Sequence, residues 1–305
     1  MTGAPVLKRR DIYRDPVVDG QETRDGALGR LRRRMDSLLI SRAEREEAEL
    51  ERRLRAQPGV TRPNLIALIS PKGGVGKTTS TFLAGNLLAS HLKLRAVAVD
   101  ANPDFGTLGR LPGEQARAGH SLADLLDDAE RLGTAAELRP YVSKLPSGLH
   151  LLAAPQDATL TASLGPDRYG ELVALLSCFY ETVLLDLGTG VAGPLARFAI
   201  ERADQVVLVT TPEWITASVV LDALGHLAHE RTTVVVNKAH PRPADELRAV
   251  EECFRRARLH GSVTIPYDPR LALMLDSGTY SLEALDPRTR VPVKRLGLAV
   301  AEQLV

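Results

Sequence analysis

Short apolar runs recur from residue 64 onwards, and longer segments with helical periodicity separate them. Apolar residues are continuous within the runs, which is typical of strands buried on both faces of a parallel sheet. The alternation of strands and helices predicts an α/β fold with a mostly parallel sheet and helices on both faces. The runs are NLIALIS (64–70), RAVAVD (95–100), LHLLAA (149–154), TVLLD (182–186), QVVLVT (205–210), TTVVVN (232–237) and SVTIP (262–266).

A charged extension precedes this region. Residues 1–60 contain fourteen basic and eleven acidic residues and few residues that favour strands. Residues 1–26 are predicted to be disordered, because they offer little apolar surface for a core. We therefore divide the chain into an N-terminal extension over 1–60 and a folded domain over 61–305.

The second half of the extension is predicted to be helical. In residues 28–56, Leu31, Met35 and Leu38 repeat at the spacing of one helix face, and Gln57-Pro58-Gly59 ends the helix. The segment carries nine arginines and several glutamates. It is either a solvated helix that packs on the domain through its leucines, a docking segment for a partner, or a contact to lipid or nucleic acid.

Composition excludes few function classes. The net charge of +1 gives no overall preference for nucleic acid, and aromatic residues make up only 4% of the chain. No apolar run reaches the roughly 18 residues of a membrane span. The two cysteines, Cys178 and Cys253, belong to no closely spaced pair. This cysteine usage predicts a reducing compartment and a cytoplasmic protein.

The stretch SPKGGVGKTT at residues 70–79 joins the first strand to a helix. Glycines in this context allow successive backbone amides to surround an anion, and the following helix adds its positive dipole end. The pattern predicts a phosphate-binding loop for ATP and Mg²⁺. Lys77 is expected at the β- and γ-phosphates, the Thr78 hydroxyl at Mg²⁺, and Thr79 at the α-phosphate.

The loop departs from the common GxxxxGK[ST] pattern, since Pro71 stands where its first glycine would be. It fits the variant KGGxGK[ST]T instead, and through it the chain resembles the MinD/ParA group of deviant Walker A ATPases. The resemblance implies that Lys72 crosses the interface of an ATP-dependent homodimer and contacts the partner's phosphates. The implied nucleotide-binding residues of the loop are Gly73, Gly74, Val75, Gly76, Lys77, Thr78 and Thr79.

Four further segments are similar to the same group: VAVDANPDFGTLGRL, VLLDLGTGVAG, VVVNKAH and IPYDPRLALMLDSG. The resemblance implies Asp100 and Asp186 near Mg²⁺, with Asp186 holding a metal-bound water, and Asn237 reading adenine. It also implies that Gly188 and Gly190 present backbone amides near the γ-phosphate. The residues expected near the base from the last segment are Pro266, Tyr267 and Asp268.

The first switch segment departs from the D-x-D sequence of many relatives. Asp100 is followed by Ala101 and Asn102, and an amide can accept a hydrogen bond from water but cannot take its proton. Two interpretations stay open. Asp104 supplies the missing carboxylate, or hydrolysis is very slow and the protein acts mainly as an ATP-held dimer.

The resemblance implies a switch ATPase that positions or organises a cargo, such as DNA, a division site or a secretion machine. The alternative is a non-hydrolysing scaffold or adaptor for a secretion or pilus apparatus. A protein activator or adaptor is an expected partner, and residues 28–56 are the candidate segment for its docking if they do not simply pack on the domain. The basic residues near the C-terminus are either a solvated face, which we favour, or a non-specific contact to DNA of the kind that the resemblance implies. The C-terminal VPVKRLGLAVAEQLV is predicted to be a core helix rather than a membrane helix. The candidate DNA-contacting residues are Arg288, Arg290, Lys294 and Arg295.

Overall fold

A computed structural model of the chain describes residues 42–103, 106–113, 116–227, 231–240, 244–257 and 259–305. The predicted disorder over 1–26 and the first part of the predicted helix over 28–56 lie outside these residues. Residues 42–305 form one compact unit, and this unit includes the end of the predicted extension. The predicted boundary at residue 60 rests on the change in amino-acid composition along the chain, and it stays a prediction.

The core of the fold is one eight-stranded sheet with the order β3-β4-β2-β5-β1-β6-β7-β8. Every pair is parallel except β3 with β4, which is antiparallel at the edge. The predicted mostly parallel sheet is therefore confirmed. The strands are β1 (Asn64–Ile69), β2 (Ala96–Ala101), β3 (Val142–Lys144), β4 (His150–Leu152), β5 (Thr182–Leu187), β6 (Gln205–Thr210), β7 (Thr232–Ala239) and β8 (Gly261–Pro266).

Helices cover both faces of the sheet. Along β1, Ile66 and Leu68 join one buried cluster, while Leu65 and Ala67 join the other. The strands read as continuous apolar runs because each face needs its own apolar residues. The helices are α1 (42–55), α2 (Lys77–His91), α3 (Leu122–Asp127), α4 (Ala158–Ser163), α5 (Pro166–Ser177), α6 (Pro194–Arg202), α7 (Trp214–His226), α8 (Ala244–Arg256), α9 (Pro269–Ser277) and α10 (Pro287–Ala301).

Helix α1 packs on α10, and we call this pair the α1–α10 layer. Leu50 and Leu54 are buried in the same cluster as α2 and α10. The predicted helix face of Leu31, Met35 and Leu38 lies outside the described residues. Across the layer, Lys294 Nζ lies 2.6 Å from Glu47 Oε1 and also bonds Glu51. The described part of the predicted extension is thus an integral layer of the fold.

The same contacts change the view of the candidate DNA-contacting residues. Arg290 pairs with Glu47 at 2.7 Å and Arg295 with Glu46 at 2.6 Å, in addition to the pairs of Lys294. Arg290, Lys294 and Arg295 are therefore neutralised within the chain, which favours a structural interpretation over a free basic face. Helix α10 itself is a core helix as predicted, with Val293, Leu296 and Val300 buried. Among the described residues, no helix combines the length and the apolar character that crossing a membrane requires.

The carboxyl ends of β1, β2, β5, β7 and β8 lie at one edge of the sheet because these strands are parallel. We call this edge, together with the loops that leave it, the nucleotide edge. It gathers the loop after β1, the switch segment after β2 and the loops after β5, β7 and β8. All the motifs found in the sequence follow these strands, so the topology brings them together.

Candidate nucleotide-binding site

The loop between β1 and α2 has the backbone of an anion cradle. Gly74 and Gly76 adopt φ of 75° and 97°, which side-chain-bearing residues rarely do. Helix α2 begins at Lys77, and its N-cap residue Gly76 provides no side-chain cap. The first amides of α2 are therefore available to an anion, and the helix dipole favours one there.

Gly76 is restricted by a neighbour as well as by its backbone. A Cβ at this position would lie 1.9 Å from Asn237 Nδ2. Nδ2 also donates to the carbonyl oxygen of Val75 at 2.9 Å. The Val75 side chain is buried in the core beside α2. The position of the loop is thus fixed by two contacts: the Val75 side chain packs in the core, and Asn237 at the end of β7 donates a hydrogen bond to the Val75 carbonyl.

Lys77, Thr78 and Asp186 form the centre of the site. Thr78 donates through Oγ1 to Asp186 Oδ2 at 2.6 Å, and Lys77 Nζ lies 3.9 Å from Asp186 Oδ1. Burial raises the pKa of Asp186, while Lys77, Thr78 and Thr81 oppose that shift. Lys77 is largely buried, with 11% of its side chain exposed. The predicted partners of Mg²⁺ and phosphate therefore lie together.

A second carboxylate, Asp100, lies next to Asp186 because the two residues are register partners on β2 and β5. Burial and the neighbouring charge of Asp186 raise the pKa of Asp100 to about 6. Backbone amides of Gly109 and Asn102 donate to it at 3.3 and 3.4 Å and only partly oppose this shift. Two adjacent buried carboxylates are costly unless a cation lies between or beside them.

This donor set fits Mg²⁺. Asp186 Oδ1 is buried without a hydrogen-bond partner, so an acceptor is available for a cation. The Thr78 hydroxyl and the two carboxylates are hard oxygen ligands, which Mg²⁺ prefers alongside water and phosphate oxygens. In the described ranges, no group of three or more His, Cys, Asp and Glu side chains could hold a metal. A magnesium site that depends on a hydroxyl and on phosphates agrees with that finding.

The switch segment after β2 packs directly on these carboxylates. A Cβ at Gly106 would lie 1.9 Å from Asp100 Oδ1, and one at Gly188 would lie 3.2 Å from Asn102 Oδ1. Asn102 is thus brought to the loop after β5. Asp104 lies outside the described residues, so its predicted part in hydrolysis stays a prediction.

The backbone amide of Gly190, which we expected near the γ-phosphate, makes a hydrogen bond within the fold instead. It donates to the carbonyl oxygen of Ser70 at 2.8 Å, which ties the loop after β5 to the end of β1. This N–H is therefore used within the fold and is not directed to a γ-phosphate. The φ of 105° at Gly190 explains why glycine stands there.

Lys72 is separated from the centre of the site. Its Nζ lies 3.1 Å from Thr216 Oγ1 at the start of α7, whereas Lys77 faces Asp186. The residue is exposed, and Thr216 is buried. The two lysines of the loop therefore have different surroundings.

The three residues that we expected near the adenine base, Pro266, Tyr267 and Asp268, have different surroundings in the structure. Tyr267 is 56% exposed, and its ring stacks on His240 with centroids 4.9 Å apart. Pro266 ends β8 just before it. Asp268 instead caps α9 through the Arg270 amide and accepts a hydrogen bond from Thr289 at 2.9 Å.

Asp268 therefore acts within the fold. Although burial opposes the shift, hydrogen bonds from Arg270 and Thr289 hold the pKa of Asp268 below its usual range. The Arg270 guanidinium contacts both of its carboxylate oxygens at 3.0 Å. These contacts occupy the carboxylate, and the predicted contact of Asp268 with the base has no support from them.

Sequence reasoning missed Lys238 and His240. Lys238 donates to the carbonyl oxygen of Gly74 at 2.7 Å. Lys238 directly follows Asn237 in β7, and His240 comes just after the strand ends, so their position near a predicted site residue was a usable signal. Thr216 and Thr81 carried no comparable signal, because hydroxyls inside helices are common.

Comparisons with known proteins agree with this geometry. A family model described as the CobQ/CobB/MinD/ParA nucleotide binding domain matches residues 66–281. The chain is 31% identical over 278 residues to the ESX-1 secretion-associated protein EspI of Mycobacterium tuberculosis, an alignment that covers 87% of this chain and 40% of EspI. This chain thus spans less than half of the EspI length. It is also 28% identical over 222 residues to the septum site-determining protein MinD of Synechocystis, covering 70% of this chain and 80% of MinD.

Two solved structures share the fold. A ParA family ATPase from Chlorobium tepidum has a TM-score of 0.63 at 21% identity, covering 76% of this chain and 98% of its own. The cell division ATPase MinD of Pyrococcus furiosus has a TM-score of 0.60 at 20% identity, covering 76% of this chain and 97% of its own. At these identities the likeness concerns the fold.

Proposed function

Because this chain belongs to the family of CobQ/CobB/MinD/ParA nucleotide-binding domains, we propose that it is an ATPase switch that dimerises when it binds ATP. Hydrolysis to ADP and phosphate then returns it to the monomer. The observation that carries the proposal is the separation of the two loop lysines. Lys77 faces Asp186 at 3.9 Å within the site, whereas Lys72 is exposed beside Thr216 and remains available to a second copy.

The nucleotide is held by the chain's own groups. The amides at the start of α2 and the Lys77 ammonium stabilise the phosphates by charge and by position. Thr78 and Asp186 would hold Mg²⁺, with Asp100 beside them. When bound, the ion would supply positive charge to the phosphate groups during transfer.

Hydrolysis is proposed to be slow. Asn102 can orient a water molecule by accepting its hydrogen bond, but it cannot remove the proton. A carboxylate beside the water would accept that proton, and Asp104 is the candidate from the sequence. If Asp104 does not supply it, the chain acts as the ATP-held scaffold that is the alternative function.

Among cargoes, we favour a secretion apparatus. EspI is named as a secretion-associated protein, and its alignment covers 87% of this chain. That share exceeds the 70% covered by the MinD of Synechocystis. On this proposal, residues 28–56 mediate docking to an adaptor, and the protein acts in the cytoplasm.

Sedimentation velocity tests the switch. The wild-type chain with Mg²⁺ and a non-hydrolysable ATP analogue should sediment as a dimer, and with ADP as a monomer. Lys72→Ala should bind the analogue normally yet remain monomeric, while Lys144→Ala, on an exposed lysine of edge strand β3, should behave as wild type. A Lys72→Ala variant that dimerises fully would refute the proposed role of Lys72.

Phosphate release distinguishes the enzyme from the scaffold. Measurable turnover that disappears in Lys77→Ala supports the ATPase. A dimer with no turnover above that of Lys77→Ala supports the scaffold.

A further inference from the structure

The end of β7 contains a local distortion beside the phosphate-binding loop. Lys238 adopts φ of 58°, a left-handed conformation that costs a residue with a Cβ about 1 kcal/mol or more. The pairing of β7 with β8 also shifts register between Val236 and Ala239. Bulges of this kind often redirect a side chain next to a functional site.

The distortion directs two consecutive side chains to two consecutive carbonyl groups of the loop. Asn237 Nδ2 donates to the Val75 oxygen at 2.9 Å, and Lys238 Nζ donates to the Gly74 oxygen at 2.7 Å. In an ordinary extended strand, neighbouring side chains point to opposite faces. The left-handed residue and the register shift are what allow both to reach the loop.

These bonds matter because of how a phosphate-binding loop works. When backbone amides point inward to an anion, the carbonyls point outward and need donors of their own. A charged donor makes a hydrogen bond roughly twice as strong as a neutral one. The ammonium of Lys238 thus secures the carbonyl of Gly74, whose own φ is 75°.

We infer that Lys238 is a positioning residue of the nucleotide site, which together with Asn237 clamps the loop in its phosphate-binding shape. The inference rests on the proposed nucleotide binding and assigns Asn237 to the loop in addition to any contact with adenine. Lys238 does not itself touch the nucleotide. Its contribution is to keep the loop ordered before ATP arrives, so that less ordering is required on binding.

The chain provides a matched control. Lys93 is the other non-glycine residue with positive φ in the described ranges, at 59°, and it lies beyond the far end of α2. Lys238→Gly removes both the strain and the ammonium, Lys238→Met removes only the ammonium, and Lys93→Gly removes comparable strain away from the loop. Thermal unfolding should show equal or higher midpoints for both glycine variants, because glycine adopts this conformation freely.

Affinity for a fluorescent ATP analogue with Mg²⁺ is the first readout. Both Lys238 variants should bind about tenfold more weakly, as expected for a lost charge-assisted hydrogen bond, and Lys93→Gly should bind within twofold of wild type. Unchanged affinity in both Lys238 variants would overturn the inference. Equal weakening in Lys93→Gly would also overturn it.

Hydrogen exchange of the nucleotide-free protein is the second readout. Peptides that cover residues 70–79 should exchange faster in both Lys238 variants and not in Lys93→Gly. This result does not require ATP binding. If the wild type binds no analogue, the proposed function fails, and the exchange rates still decide whether the clamp exists; unchanged exchange would refute it.

Discussion

Two regions of this molecule bury charged side chains, and they differ in which charges lie next to each other. In the α1–α10 layer, Lys294 is 3% exposed and bonds two carboxylates, Glu47 and Glu51. At the nucleotide edge, Asp100 and Asp186 are each 1% exposed and lie side by side on adjacent strands. The first region pairs opposite charges, whereas the second places like charges together.

The pKa values of the carboxyl groups in the two regions are shifted in opposite directions. Although burial opposes the shift, hydrogen bonds from Arg290 and Lys294 hold the pKa of Glu47 below its ordinary value. Burial and Asp186 raise the pKa of Asp100 to about 6. The α1–α10 layer therefore pairs its buried charges without any ligand, while at the nucleotide edge two neighbouring carboxylates lie beside a side chain of opposite charge, Lys77, which faces Asp186.

The largest expected effect concerns the paired region. Lys294→Ala leaves Glu47 and Glu51 near each other without their shared cation, and loss of one partner of a buried ion pair costs about 3 kcal/mol. Urea unfolding should report this loss, with nucleotide affinity unchanged. Arg52→Ala, which breaks an exposed pair with Glu49, should change stability by no more than about 0.5 kcal/mol. A loss in Lys294→Ala no larger than that of the control would contradict the comparison.

At the nucleotide edge, removal of a largely buried cation should lower ligand affinity and leave the stability of the apo protein nearly unchanged. Lys77→Ala removes the cation that faces Asp186 and the expected phosphates, so Mg²⁺–ATP affinity should fall about 100-fold, or about 2.7 kcal/mol. The apo protein should unfold within about 1 kcal/mol of wild type, because the edge is not complete without ligand. Calorimetric titration measures the affinity, with Lys144→Ala as the control. Wild-type affinity in Lys77→Ala would show that the loop does not hold the phosphates.

The smallest effect is a pH dependence with opposite signs in the two regions. A carboxyl group whose pKa rises on folding adds stability below its unfolded value of 3.8, and this stability is lost as the pH rises through about 6. Glu47 has a lowered pKa, so its contribution is present above the unfolded value of 4.5 and is lost as the pH falls through its folded value.

Asp100→Asn isolates the first of these terms. Between pH 5 and pH 8, without Mg²⁺ or nucleotide, the wild type should lose about 1.5 kcal/mol relative to the variant. Urea unfolding at both pH values measures the difference. Parallel pH profiles for the two proteins would mean that burial and Asp186 do not raise the pKa of Asp100 as described.

The comparison also explains what could be predicted from the sequence. The loop was predictable because its chemistry is local, with glycines, Lys77 and Thr78 consecutive between a strand and a helix. The family resemblance implied that Asp100 and Asp186 lie near the same cation. The structure adds that the two residues are register partners on β2 and β5, a neighbour relation that chain order alone does not give.

Contacts between distant segments were not predictable in this way. Lys294 meets Glu47 across 247 positions of sequence, and composition alone suggested a free basic face on α10. Asp268 has the residue type of a site group, but it caps α9 through the Arg270 amide and accepts a hydrogen bond from Thr289. Lys238 reaches the loop only through a left-handed residue and a register shift, which no periodicity reveals.

Calorimetric titration of the wild-type chain with a non-hydrolysable ATP analogue, with and without Mg²⁺, tests the central claim most directly. We expect binding that is much tighter with Mg²⁺, because the buried carboxylates of Asp100 and Asp186 would hold the metal beside the phosphates. Binding that is equally tight in the presence of a chelator, or no binding at all, would contradict the view that this edge is completed by ATP and its metal.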